Sequence, residues 1–295
     1  MPGKVAVPAG VLPRAASVRL PDRIAPVAAA AVTFAILYWA PMATLVRDWW
    51  SDPEAGHGLL LGPLALYLAW RRGRAPGARP QPRLGLVILA AAIVLRYLSG
   101  LAAELFTMRM SLLLGVAALI VFRRGLVQIL YWWLPALLLM LSVPLPAVVL
   151  GSLALPLQLK ASAFGAALLE WRHVPVLLAG NVIHLPDRSL FVTEACSGLR
   201  SLTALLSLGI LIGGLWLRSP WLRVLLVAAA VPIAMALNGL RIFITGFLVY
   251  FVDPALGEGA LHYTEGWFMF VVAFVVLGAM AWALTQLESL RRHTP

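Results

Sequence analysis

The chain has 295 residues, of which 62% are hydrophobic and only 12% charged, and its mean hydropathy is +0.92. Soluble domains carry about 25% charged residues, so this composition excludes an ordinary soluble domain and describes a multi-pass membrane protein. The net charge of +11 is better explained by basic loops on one side of a membrane than by nucleic acid, and a single cysteine excludes an internal disulfide or a cysteine-based zinc site.

Residues 1–25 are basic and interrupted by Pro8, Pro13 and Pro21, with no short cleavable apolar core. They are expected to form a disordered cytoplasmic tail, not a signal peptide. A spanning helix takes about 20 apolar residues. Residues 26–46, 58–70, 84–102, 110–122, 125–143, 199–217, 224–250 and 266–287 are read as eight spans, the second being short. A polar loop with Trp49 and Trp50 follows the first span, and a basic, proline-rich linker, 71–83, follows the second. Residues 147–172 are apolar but carry Pro156, Gln158, Lys160 and Glu170. An amphipathic helix at the interface or packed in the bundle is favoured there, with a full span as the alternative.

Residues 174–195 read differently. β-Branched residues flank the turn signals Gly180-Asn181 and Pro186-Asp187, the pattern of a small hairpin. An open strand edge cannot sit in lipid, so this piece lies outside the bilayer or is shielded by protein. The fold class is therefore all-α and polytopic, with about eight transmembrane helices and a small extracytoplasmic β-hairpin. One transmembrane domain covers 26–288, between the tail and a cytoplasmic end at 289–295. With both termini inside, fifteen of the 23 basic residues fall on the cytoplasmic side, which places the hairpin, Cys196 and His262 outside.

Cys196 lies in Glu194-Ala195-Cys196-Ser197-Gly198-Leu199-Arg200, at the start of an apolar run. A lone free cysteine is ordinarily a small buried hydrophobe. The polar surroundings favour chemistry instead: a helix N-terminus and Arg200, four residues on, support a thiolate, while Glu194 opposes it. Arg241 sits within a span, which costs about 2.5–3.5 kcal/mol and ordinarily marks function. Asn238 and Thr245 share its helical face, and its planar fork of donors suits an oxyanion. The bland reading is a snorkelling or structural arginine, and Arg96 is taken as structural. His262 is either an interfacial loop residue or the general base and acid for the thiol. His57, also outside, binds substrate or shapes the entrance. No tight ligand spacing suggests a metal, and no Walker or Rossmann motif suggests a nucleotide or redox cofactor.

At these residues the sequence resembles the exosortase/archaeosortase family of membrane transpeptidases. The likeness rests on Glu194 through Arg200, on Asn238-Gly239-Leu240-Arg241-Ile242, and on His262 followed by Gly266. His57-Gly58, Leu145-Pro146 and Gly180-Asn181-Val182-Ile183 fit the surrounding pattern, and coverage runs from about residue 30 to 285. The resemblance implies a Cys196, Arg241, His262 catalytic set on a helical fold unrelated to the soluble sortases. It implies exported clients with a PEP-CTERM tail, an unidentified acceptor linked to lipid or polysaccharide, and a bacterial inner-membrane location with the active site on the periplasmic face. The rival classes are a transporter or polysaccharide-export component, and a scaffold that only holds its client's tail. The first is compatible with many spans and a buried arginine but gives no reason for the hairpin before the only thiol.

Overall fold

The computed structural model describes residues 24–52, 54–186, 188–192, 199–253 and 260–293, without the side chains of 24–27, 147, 199–200, 260–265 and 291–293. The chain divides into two units, 1–40 and 41–295, and every residue of the candidate site belongs to the second. Ten helices are described: α1 (Ile24–Ser51), α2 (Gly58–Arg72), α3 (Pro82–Leu101), α4 (Leu105–Arg124), α5 (Leu126–Tyr131), α6 (Trp133–Leu141), α7 (Ala147–Trp171), α8 (Leu199–Trp216), α9 (Pro220–Phe251) and α10 (Ala260–His293). Between α7 and α8 lie β1 (Leu177–Ala179), β2 (Val182–Leu185) and β3 (Arg188–Phe191).

Six of the helices are long and apolar enough to cross a membrane. The eight expected spans map onto α1, α2, α3, α4, the α5–α6 pair, α8, α9 and α10. Of the expected spans outside those six, α2 has 15 residues, α8 has 18, and the fifth is broken at Trp132. The sixth long helix is α7. The fold is thus the expected polytopic all-α membrane type, with large apolar side chains such as Ile36, Val87, Leu130 and Phe274 exposed on its surface.

The break at Trp132 has a local cause. Pro135 has no N–H to give the carbonyl of Tyr131, four residues earlier. Arg72 Nη1 supplies the missing donor to Tyr131 O at 3.0 Å. Nearby, buried Gln128 donates to Gly73 O and accepts from Ala75 N, and Trp132 Nε1 also donates to Gly73 O at 3.0 Å. The 71–83 linker is therefore pinned to the start of the α5–α6 pair.

These contacts define one end of the bundle, where the basic ends of α2 and α4 meet the start of α9. Arg72 and Arg223 both approach the ring of Trp133. The carboxylate of Glu288, near the end of α10, accepts from the backbone N–H groups of Arg218 and Ser219. At the opposite end of α2 and α6, Trp49 Nε1 donates to Ser142 O at 2.6 Å and His57 Nε2–H donates to Leu141 O at 3.1 Å. There too, buried Arg109 of α4 pairs with Asp48 at 2.6 Å. Glu104 caps α4, accepting from Phe106 N, Thr107 N and the Thr107 hydroxyl. The Thr107 hydroxyl and these backbone donors hold its carboxyl below the usual range.

α8 runs antiparallel to α9, with Gly209 against Val227 and Gly213 against Arg223. α7 instead runs in the same direction as α9 at their contact. Phe164 lies against Gly239, Gly165 against Ile242, Leu169 against Gly246, and Arg172 over the ring of Phe247. The Phe164 ring occupies the space a Cβ on Gly239 would need, 2.2 Å away, the close approach that small residues permit between membrane helices. α7 has the length and composition of a span, the alternative reading of residues 147–172.

The hairpin is a three-stranded antiparallel sheet in the order β1-β2-β3, with Val182 opposite Phe191 and Leu177 opposite His184. Gly180-Asn181 stands between β1 and β2, and β2 pairs with β3 from Leu185 opposite Arg188 onward; Asp187 of the second turn signal lies outside the described residues. Ile183 is fully buried in a cluster with Ala161, Leu169 and Val174 on the α7 side and Ile242 and Val249 of α9. The sheet is thus fixed to the two helices beside it.

Candidate active site

α9 brings Asn238, Arg241 and Thr245 to one face, spaced three and four residues apart. Asn238 and Thr245 are buried, and Thr245 Oγ1 donates back to Arg241 O at 3.0 Å. Arg241 is half-buried and lies about 30 Å along α9 from its start, at 1.5 Å per residue. It lines a cavity holding about 300 Å3 of empty space, counting the open mouth. The polar wall is Ser201, Asn238 and Arg241, and the apolar wall includes Leu205 and Met269. Gly266 completes it from α10, where a side chain would begin 3.4 Å from Arg241 Nη1.

Cys196 and Glu194 lie outside the described residues, as do the side chains of Arg200 and His262. Arg200 is in the first turn of α8, one residue before Ser201. His262 is in the first turn of α10, four residues before Gly266 and so on the same helical face. The cavity therefore gathers Arg241 and Asn238 with the beginnings of the two helices that carry these residues. An arginine, an amide and a hydroxyl facing apolar walls can hold a polar, negatively charged group away from bulk water.

His57 does not line this cavity. As the residue preceding α2, it spends its Nε2–H on Leu141 O and ties the start of α2 to the end of α6.

The structure adds residues that sequence reasoning missed. Val192, four residues before Cys196, is held at its carbonyl by Gln158 Nε2 and by Asn181 Nδ2, the latter at 3.0 Å. Its N–H donates to Asn181 O at 3.0 Å. Gln158 is buried in apolar α7, where a polar side chain is expensive unless it has a partner. The signal for it was its presence among apolar neighbours. The partner, 34 residues away, had no signal. Ser201 was likewise unmarked, and Arg109, unremarked in the sequence, is the arginine that makes the described buried ion pair.

Fold and cavity together define a polytopic helical membrane protein whose polar site is built by α8, α9 and α10. The sequence model of the family described as transmembrane exosortase (Exosortase_EpsH) matches residues 49–279. The chain belongs to that family, and its function is of the membrane exosortase type. No curated protein and no solved structure matches the chain.

Proposed function

We propose that the protein is a membrane-embedded cysteine transpeptidase that cleaves C-terminal sorting signals of the PEP-CTERM kind and transfers exported proteins to an acceptor. The observation that carries this reading is the cavity that Arg241 shares with Ser201 and Gly266. Those two residues follow Cys196 by five positions and His262 by four.

The thiolate of Cys196 attacks the scissile carbonyl carbon, and the carbonyl oxygen takes up the negative charge. Arg241 stabilises that oxygen with its charged N–H donors, with Asn238 beside it. Collapse of the tetrahedral species breaks the C–N bond. The leaving amine takes its proton from His262, and a thioester to Cys196 remains. An amine or hydroxyl acceptor then attacks the thioester, gives its proton to His262 and frees the Cys196 thiolate. Arg200 and Glu194 flank the nucleophile and set its charge environment.

The basic end formed by Arg72, Arg124, Arg218 and Arg223 fits the cytoplasmic side of a bacterial inner membrane, with both termini there. The cavity then opens toward the periplasm, where exported clients arrive. The test is co-expression with a tailed client, followed by mass spectrometry of the product's new C-terminus. The wild type yields a shortened, acceptor-linked client, and Cys196→Ala yields the intact one. Equal processing by Cys196→Ala rules out the thiol mechanism.

A further inference from the structure

The basic end of the bundle holds a second arrangement that the cavity chemistry does not use. Arg72, from the last turn of α2, lies 6.0 Å from the ring centroid of Trp133, and Arg223, from the first turn of α9, lies 5.0 Å from it. Each guanidinium is also fixed by one hydrogen bond to a backbone carbonyl. Arg72 Nη1 donates to Tyr131 O at 3.0 Å, and Arg223 Nε donates to Leu217 O at 2.9 Å. An arginine has five N–H donors, so most of the donors of both groups remain for another ligand.

Two cations on one indole repel each other, and among the described residues no carboxylate forms an ion pair with either. Among the described residues the ion pair is Arg109 with Asp48, at the far end of the bundle. Glu288, near the end of α10, accepts from the N–H groups of Arg218 and Ser219. Trp132, next to Trp133, carries a third cation, with Arg124 at 5.6 Å. Arginines held over indoles and pinned by backbone carbonyls have already lost their rotamer freedom. They present planar forks that match the oxygens of a phosphate.

The position selects the kind of phosphate. Trp70 of α2 and Trp221 of α9 are 78% and 80% exposed beside the two arginines in sequence, the tryptophan placement that marks a membrane–water boundary. Leu66 of α2, Leu130 of α5 and Val224 of α9 are exposed apolar surface next to them, along which an acyl chain can run. Basic pockets between helices at a cytoplasmic boundary recognise anionic headgroups. We propose that Arg72, Arg223 and Trp133 form a binding site for the phosphodiester headgroup of an anionic phospholipid, which ties α2, α6 and α9 together at that boundary. The proposal does not depend on the peptidase reading.

The test is native mass spectrometry of the full chain released from detergent containing phosphatidylglycerol or phosphatidylcholine. Wild-type protein is expected to retain phosphatidylglycerol and to shed phosphatidylcholine. The double variant Arg72→Gln/Arg223→Gln is expected to lose about tenfold in retention, as for removal of charge-assisted hydrogen bonds. Arg79→Gln/Arg83→Gln, which removes the same charge from the same end, is expected to retain it. Arg72→Lys/Arg223→Lys keeps the charge and loses the forks; it guards against a folding defect and is expected to weaken retention. Inorganic phosphate is expected not to displace the lipid. Equal retention by the Arg72/Arg223 and Arg79/Arg83 variants, equal retention of both lipids, or displacement by inorganic phosphate each overturns the proposal; the last would indicate a free-anion site.

Discussion

The guanidinium of Arg241 packs against Gly266, with Nη1 3.4 Å and Cζ 3.5 Å from the point where a side chain on that glycine would begin. A methyl group at that distance makes ordinary contact, whereas a branched side chain reaches into the guanidinium. Gly266→Ala is therefore expected to process a tailed client at near wild-type rate. Gly266→Leu is expected to displace Arg241 and lower turnover by about 10²-fold, the scale of losing an oxyanion donor. Client cleavage measured by mass spectrometry checks both.

Arg241→Lys keeps a positive charge in the cavity but loses the planar fork. The expected loss is about 10²–10³-fold in kcat with little change in KM, because the interaction forms with the developing oxyanion and not with the ground-state carbonyl. Near-normal turnover reduces Arg241 to a packing role.

Gln158, buried near the middle of α7, ties that helix to Val192, the residue after β3 and four residues before Cys196. Gln158→Leu leaves the Val192 carbonyl with Asn181 as its remaining side-chain donor. A stability loss of about 1–3 kcal/mol is expected for leaving a buried acceptor under-satisfied. Turnover is expected to fall further in Gln158→Leu/Asn181→Ala. Thermal unfolding in detergent separates this loss from any catalytic effect measured well below the transition.

The Asp48–Arg109 pair joins the last turn of α1 to the start of α4. Arg109 is 3% exposed and Asp48 31%. Asp48→Asn strands a buried guanidinium, for which about 3–5 kcal/mol is the cost in a fully buried pair; partial exposure of Asp48 puts the expectation at the lower end. Asp48→Leu/Arg109→Met removes both charges and is expected to recover most of the loss. Melting temperatures of the single and double variants give the comparison.

Much of this architecture is legible in the sequence because it follows local rules. Apolar runs mark the helices, and Gly180-Asn181 and Pro186-Asp187 mark the two turns of the sheet. Asn238 and Arg241 follow from a polar pair at helical spacing inside an apolar run. What is not legible depends on contacts between distant residues. The break at Trp132 follows from Pro135, but the donor that satisfies the freed Tyr131 carbonyl, Arg72, lies 59 residues away. The Val192 clamp needs Gln158, and the Arg109 charge needs Asp48, 61 residues away. The direction of α7 relative to α9 depends on Phe164 and Gly239 meeting, which periodicity along either helix leaves open. His57 reads as a site residue because it is a polar side chain in an outer loop, while its ring is engaged by the end of α6.

In the proposed chemistry the carbonyl carbon of a client becomes bonded to Cys196. The intact mass of the membrane protein after brief exposure to a tailed client without acceptor tests this directly. A covalent adduct on Cys196 equal in mass to the client's acyl portion without its tail is expected. Hydroxylamine should release it, and it should be absent from Cys196→Ala. Client cleavage at the wild-type rate by Cys196→Ala, with no adduct on either protein, would contradict this chemistry.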